Sequence, residues 1–198
     1  VERNNELIKD ITDAVFINPK LYPSKKDLDL IYPYTHEPFI TISPSSVWFT
    51  KQYPFSKWQD LINNLSSYKI YLLGGPEKNR DCKELAAASA HKNIVVLAGE
   101  LTFLQSAALM SKAVMNYVND SAPLHFASAM NAPVTAIFCS TIPAFGYYPL
   151  SDRSVVVETV IPLSCRPCTL HGRTACPLKH FNCAYTIETA QLKESINL

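Results

Sequence analysis

Five short runs rich in β-branched and other apolar residues, 39–43 (FITIS), 69–73 (KIYLL), 93–97 (NIVVL), 113–118 (AVMNYV) and 134–138 (VTAIF), recur along the chain with room for one helix between most neighbours. Runs this short and this continuously apolar suit parallel strands buried on both faces. The intervening stretches 58–65, 80–90, 102–112 and 123–130 place apolar residues three and four apart, the pattern of helices lying on a sheet. Alternation of this kind predicts an α/β fold, a Rossmann-like doubly wound parallel sheet with right-handed crossovers. A further strand is expected at 154–157, a terminal helix around 190–196, and a helical stretch at 6–14. With 198 residues, 47% of them hydrophobic and 18% charged, the chain is long enough to bury one substantial core.

Charge and composition exclude several partners. The formal net charge of +1 and the scattered Lys and Arg provide no basic face for a nucleic-acid backbone, so no nucleic acid is expected. No apolar run approaches the roughly 18 residues of a membrane span, and the amino terminus lacks the charged and apolar regions of a signal peptide. The sequence opens on Val1 and not on Met, as a piece excised from something longer would.

In a sheet of this type ligands collect at the carboxyl ends of the strands, and the polar residues of this chain cluster there. Residues 119–125 (NDSAPLH) stand where the fourth strand hands over to a helix. Asp120 and Ser121 are both candidate caps, Pro123 suits the first turn, and His125 returns to the same end about one turn later. A helix terminus so placed favours a phosphate; a merely well-capped helix is the plainer reading of the same residues. The other strands run into Ser43-Pro44-Ser45-Ser46 and then Lys51, into Gly74-Gly75-Pro76-Glu77, into Gly99-Glu100-Leu101-Thr102, and into Ser140-Thr141, so several loops are expected to converge on one pocket. A lone Gly-Gly pair is more often a turn than a ligand cradle. The absence of a P-loop and of G-x-G-x-x-G disfavours a P-loop hydrolase and a standard dinucleotide dehydrogenase.

Taken in order, ITISPSSVWFTKQYPFSKW, YLLGGPEKNRD, VVLAGELTFLQSAALMSKA, NDSAPLHFASAMNAPVTAIF and the Cys-rich tail resemble the carboxyl-terminal half of the ADP-heptose:lipopolysaccharide heptosyltransferases, glycosyltransferase family 9, over roughly residues 38–192. The resemblance implies one half of a GT-B fold: residues 1–37 as linker and end of a preceding domain, 38–160 as the donor-binding domain, 161–198 as a Cys-rich segment with a terminal helix. It implies an inverting transfer of a heptose-like sugar from a nucleotide diphosphate donor to a lipopolysaccharide core acceptor, in the cytoplasm and with peripheral association at the inner membrane. The acceptor site and catalytic base, an aspartate, would lie in an amino-terminal domain outside these residues, so the segment alone is expected to be inactive. A non-catalytic α/β module using its cysteines, and a GT-B enzyme with another nucleotide sugar, are the alternatives.

By the same resemblance Lys51 stabilises the departing diphosphate, a role an ammonium beside a Ser-rich turn can fill. Ser45 and Ser46 belong to that turn. Asp120, Ser121 and His125 match a motif that holds the diphosphate and sugar, with Ala122 replacing the usual glycine and putting donor identity in question. Glu77 matches an acidic residue at the nucleotide ribose, although the neighbouring Asp81 competes for the alignment. Leu101 and Thr102 match a loop over the base, Thr102 being equally a helix cap. No cofactor is required by this reading, and no D-x-D metal motif is present.

Cys165, Cys168, Cys176 and Cys183 form a C-x2-C-x7-C-x6-C spacing. Four thiols within nineteen residues suffice for tetrahedral zinc or an iron–sulfur cluster, and His171 or His180 is able to stand in for one thiolate. Reduced or partly disulfide-paired packing thiols are the other reading. Cys82 on a helix and Cys139 at a strand end read as core thiols.

Overall fold

The computed structural model describes residues 2–13, 15 and 17–197. Its centre is a six-stranded, all-parallel sheet formed by β1 (Phe39–Ser43), β2 (Lys69–Leu72), β3 (Ile94–Val96), β4 (Met115–Asn119), β5 (Val134–Phe138) and β6 (Ser154–Glu158), in the spatial order β3-β2-β1-β4-β5-β6. The chain builds outward from β1 to β3, returns across the middle, and builds outward again from β4. β1 and β4 are therefore neighbours, with Ser43 level with Val118. The reversal of strand order puts a crevice at their carboxyl ends. Every residue of β1, β4 and β5 is buried, as the continuous apolar runs require.

Successive side chains on a strand point to opposite faces. On β2, Ile70 and Leu72 join a core with Trp58, Leu61, Ile62 and Leu85, whereas Tyr71, and Leu73 just beyond the strand, join a second core with Leu109 and Leu124. The helices are α1 (Glu2–Glu6), α2 (Lys25–Ile31), α3 (Phe55–Asn64), α4 (Asn79–Ala88), α5 (Phe103–Met110), α6 (Ala122–Ala129), α7 (Asn182–Tyr185) and α8 (Thr189–Glu194). The terminal helix expected at 190–196 ends at Glu194 and tightens into a 3-10 turn over Ser195–Asn197.

Two differences from expectation have local causes. The helix expected over 6–14 is a short α1 ending at Glu6, a 3-10 turn at Lys9–Ile11, and non-helical chain beyond; Ala14 itself lies outside the described residues. Leu7 and Ile11 are 81% and 84% exposed, so the apolar stripe that would sustain a short helix has no surface to bury it. Conversely, α2 was not foreseen. It starts at a capping box, with the Ser24 hydroxyl accepting the Asp27 N–H and the Asp27 carboxylate accepting the Ser24 N–H, and it buries Ile31 in the second core. Residues of the stretch before the sheet also touch the domain directly: Leu21 N–H donates to the Ala129 carbonyl, and the Tyr71 hydroxyl to that of Tyr34.

Candidate functional site

The crevice between β1 and β4 is organised by Asn119, the last residue of β4. Its carboxamide nitrogen donates to the Pro44 carbonyl at 2.9 Å, and its carboxamide oxygen accepts the Tyr53 N–H at 2.9 Å. One fully buried side chain thus draws the loop after β1 onto the end of β4. Between the two anchored points the chain makes a 3-10 turn at Phe49–Lys51, which carries Lys51 over the start of α6.

There Lys51 Nζ lies 2.7 Å from Asp120 Oδ2. Both side chains are largely enclosed, 14% and 4% exposed, so the ion pair is far less screened than a surface pair. The Thr141 hydroxyl donates to the same carboxylate oxygen at 2.7 Å. Asp120 therefore does not cap α6 as expected, because its carboxylate is committed to Lys51 and Thr141. Ser121 occupies the N-cap position, but its hydroxyl donates back to the Asn119 carbonyl and not into the helix. Its backbone is fully extended, and α6 opens with no side-chain cap. Ala122 and Pro123 begin the helix, with Pro123 supplying no donor of its own. What remains at this end is a helix terminus with a lysine beside it, an arrangement that favours an anion.

His125 projects from the first turn of α6 with its ring edge toward Tyr147, the centroids 6.3 Å apart. Loss of solvation lowers its pKa, partly opposed by the charge of Asp120 and reinforced by that of Lys51. It lines a cavity of about 480 Å³ with Ser128, Phe145, Gly146 and Tyr147. Phe145 and Tyr147 escaped the reading of the sequence. The available signal was Pro143-Ala-Phe-Gly146, a turn that Gly146 closes in the left-handed conformation at φ +94°.

The remaining expected positions are dispersed. Ser45 lines a separate hollow of about 160 Å³ with Gln52, Lys78 and Asp81, and the Ser46 carbonyl accepts the Gln52 amide at 2.7 Å. A Cβ on Gly74 would stand 3.2 Å from Lys78 Cβ, and one on Gly75 would meet only the carboxylate end of Glu77, a flexible side chain that can swing aside, so neither contact makes glycine obligatory. The Glu77 carboxylate is exposed and folded over its own loop. Thr102 caps α5, its hydroxyl accepting the Gln105 N–H while the Gln105 side chain accepts the Thr102 N–H. Leu101 packs at the edge of the second core. Among the described residues no hydrogen bond or ion pair joins Glu77, Leu101 or Thr102 to Lys51 and Asp120. The loop after β1 lines the hollow at Ser45, and His125 lines the other, while Leu101 and Thr102 are in the wall of neither.

The Cys-rich stretch after β6 folds back onto this site. The Arg166 guanidinium donates to the carbonyls of Cys139 and Thr141 at 2.7 and 2.8 Å and to Glu158 at 2.8 Å, fixing the end of β5 and with it Thr141. Thr50 and Arg173 exchange hydrogen bonds: Thr50 N–H donates to the Arg173 carbonyl, and Arg173 N–H to the Thr50 hydroxyl. Gly172, at φ +86°, lies against Lys51, where a Cβ would meet Lys51 Cγ at 2.9 Å. All six cysteines are free. Cys82 and Cys139 are fully buried, as expected of core thiols; burial pushes the Cys82 thiol up to about 11 and Cys139 well above its ordinary value.

A parallel sheet in this strand order, with a buried ion pair and an uncapped helix terminus at its switch point, defines a Rossmann-like α/β domain. Comparison with known proteins agrees. The family model "Glycosyltransferase family 9 (heptosyltransferase)" matches residues 1–179, and the chain belongs to that family. Lipopolysaccharide heptosyltransferase 3 of Escherichia coli is 30% identical over 121 residues, 59% of this chain and 35% of that protein. The solved E. coli ADP-heptose LPS heptosyltransferase II superposes with a TM-score of 0.75 at 21% identity, covering 96% of this chain and 55% of that one. E. coli heptosyltransferase WaaC with ADP-2-deoxy-2-fluoro heptose superposes at 0.65 and 17% identity, covering 100% and 55%. The chain thus spans about half the length of these structures.

Proposed function

We propose that this chain is the donor-binding half of an inverting heptosyltransferase, taking a nucleotide diphosphate heptose, with adenine as the favoured base, for transfer to a lipopolysaccharide core. The observation that carries the reading is the Lys51–Asp120 pair set over the uncapped start of α6. An ammonium has three donors. One is engaged by Asp120, leaving two for phosphate oxygens that would also meet the helix terminus. As the bond from the anomeric carbon to the diphosphate oxygen breaks, its electron pair goes to that oxygen, and Lys51 is placed to neutralise the charge. The acceptor hydroxyl attacks the opposite face and passes its proton to a carboxylate base outside this chain.

In this scheme Asp120 holds Lys51 in place and does not itself bind phosphate. Ser121 and Ala122 flank the diphosphate, and the cavity beside His125 and Tyr147 suits the sugar. Glu77 and Leu101 would contribute through the nucleotide alone, Thr102 as the cap that shapes the loop beside it, and Ser45 and Ser46 through the backbone of their turn. No metal is required by this chemistry. No helix among the described residues is long and apolar enough to cross a membrane; work at the inner face of the membrane, from the cytoplasm, would be peripheral.

Titration calorimetry with ADP and UDP tests the reading. Saturable heat with ADP, weaker with UDP and with affinity lowered about ten- to a hundredfold by Lys51→Ala, is expected. A folded chain giving no heat with either nucleotide at millimolar concentration would sink it.

A further inference from the structure

Two stretches of the chain carry no acidic residue: neither 38–59 nor 159–187 contains an Asp or Glu, although the chain has 17. The fold brings these stretches together. Thr50 and Arg173 exchange hydrogen bonds, and Gly172 lies so close to Trp48 that a Cβ would stand 2.9 Å from Trp48 Cβ. The Phe49 ring packs on Phe181, centroids 5.0 Å apart, and Phe181 meets Tyr185 at 5.9 Å. Leu178 shares with Thr50 the wall of a cavity of about 250 Å³. Cys165, Cys168, Cys176 and Cys183 line the same cavity; among the described residues no three His, Cys, Asp or Glu side chains are placed to hold an ion, and Cys176 and Cys183 pack in the first core.

The face so formed exposes large apolar side chains. Val47 is 90% exposed, Trp48 and Phe49 follow it in sequence, and Leu170, Leu178 and Tyr185 join them from the second stretch. Apolar residues exposed singly are ordinary, whereas three in a row beside three more mark a surface with a partner.

The charges say which partner. Lys51, Lys57 and Arg166 are each paired, with Asp120, Glu188 and Glu158. Arg173 and Lys179 are exposed and form no ion pair among the described residues. A second copy of the chain is a poor occupant, because a two-fold contact would set these cations against their own kind with no carboxylate from either stretch to offset them. An anionic bilayer surface suits both features. Trp and Tyr settle at the headgroup level, aliphatic tips enter the acyl boundary, and Arg and Lys meet lipid phosphates. Two cations are fewer than the roughly four to eight of a purely electrostatic lipid patch, so the apolar residues must supply most of the binding.

We propose that Val47, Trp48, Phe49, Leu170, Leu178 and Tyr185, with Arg173 and Lys179, form a docking surface for an anionic lipid bilayer. This names the surface for the peripheral association proposed above and rests on that reading only for the side of the membrane it meets. Docking here sets the turn that carries Lys51 at the lipid boundary, within reach of an acceptor that stays in the bilayer.

The test is sedimentation of the chain with vesicles of phosphatidylcholine, with and without phosphatidylglycerol, together with tryptophan emission. The chain has two tryptophans and Trp58 is buried, so a blue shift on binding reports Trp48. Binding to the phosphatidylglycerol vesicles, with that shift, is expected. Val47→Ser and Leu178→Ser should each weaken it about tenfold, and Arg173→Gln and Lys179→Gln each about fivefold. Tyr22→Ser, equally exposed but in the stretch before the sheet, should leave it unchanged. All five side chains are exposed, so the variants should fold as the wild type does. A folded chain that stays in the supernatant with its emission unmoved overturns the surface, and so does binding that Val47→Ser and Leu178→Ser both keep. Equal binding to phosphatidylcholine alone overturns the anionic partner. A dimer that Leu178→Ser abolishes, in a chain that ignores vesicles, would give the face to a second copy. Leu178→Ser should bind ADP as the wild type does; vesicle binding by a chain that takes no ADP would count against the donor reading and leave the surface standing.

Discussion

Asn119 spans the switch point of the sheet, donating to the Pro44 carbonyl while accepting the Tyr53 N–H, each at 2.9 Å. Replacing it with Ala strands a part-buried carbonyl and a buried amide together. A buried group left without its partner costs about 1–3 kcal/mol, so Asn119→Ala should lower the urea midpoint by a corresponding amount and loosen the turn before Lys51. Wild-type stability in urea would show that water replaces the carboxamide.

Removing Lys51 or Asp120 should damage binding through one shared mechanism. A charge-assisted contact to diphosphate is worth roughly 1.5–3 kcal/mol, so Lys51→Ala should weaken ADP by about ten- to a hundredfold. Asp120→Ala acts through Lys51, so the double variant should be little worse than Lys51→Ala alone. Additive losses in calorimetry would mean that Asp120 meets the ligand itself. If Asp120→Ala failed to fold, its structural role would outweigh the other.

His125 supplies a pH signature. Its folded-state pKa is lowered mainly by lost solvation, so below its ordinary value of about 6.5 the unfolded chain binds more protons than the folded one. Stability should therefore fall as pH drops through that value and level off once the folded-state histidine also protonates. Urea midpoints at a series of pH values should show this slope, and His125→Gln should flatten it. An NMR titration of the ring with a midpoint above about 6.5 would contradict the sign.

Thr102 separates a capping role from a binding one. Thr102→Ala removes a cap and should cost about 1 kcal/mol of stability. ADP affinity should stay unchanged, because no hydrogen bond connects this cap to Lys51 and Asp120. A clear loss of affinity without loss of stability would restore Thr102 to the nucleotide loop.

Gly172→Ala tests the contact from the other side. The left-handed backbone alone penalises Ala by roughly 1–2 kcal/mol, and the new methyl would press on Lys51 Cγ and Trp48 Cβ. Destabilisation with a further drop in ADP affinity is expected. Unaltered affinity would show that Lys51 tolerates displacement.

The sheet was legible because buried parallel strands announce themselves as unbroken β-branched runs. β1 and β5 fall where FITIS and VTAIF predict, and the helices differ by a few residues at their ends. Asp120, Ser121 and His125 were legible as polar residues at a strand–helix junction, and the role of Lys51 only through the family resemblance. What Asp120 does there was not, because a residue that ordinarily caps a helix was diverted by Lys51 and Thr141, which are distant in sequence. Arg166 and Gly172 carried no local signal. An arginine between two cysteines says nothing of the three carbonyls it gathers, which exist only once β5 and β6 are paired.

The bond from Arg173 to Thr50 joins residues 123 apart in sequence. All six strands are complete by Glu158, so a growing chain could assemble its sheet before the segment that steadies the lysine has been made. Local order at Lys51 then depends on long-range closure by the residues made last, the stretch that also brings Phe181, Ile187, Leu192 and Ile196 to the first core. A version ending shortly after Glu158 would ask whether the sheet stands while anion binding is lost. Evolution could retune the loop around Arg173 only while keeping Phe181, Ile187, Leu192 and Ile196, which close the first core from the same tail.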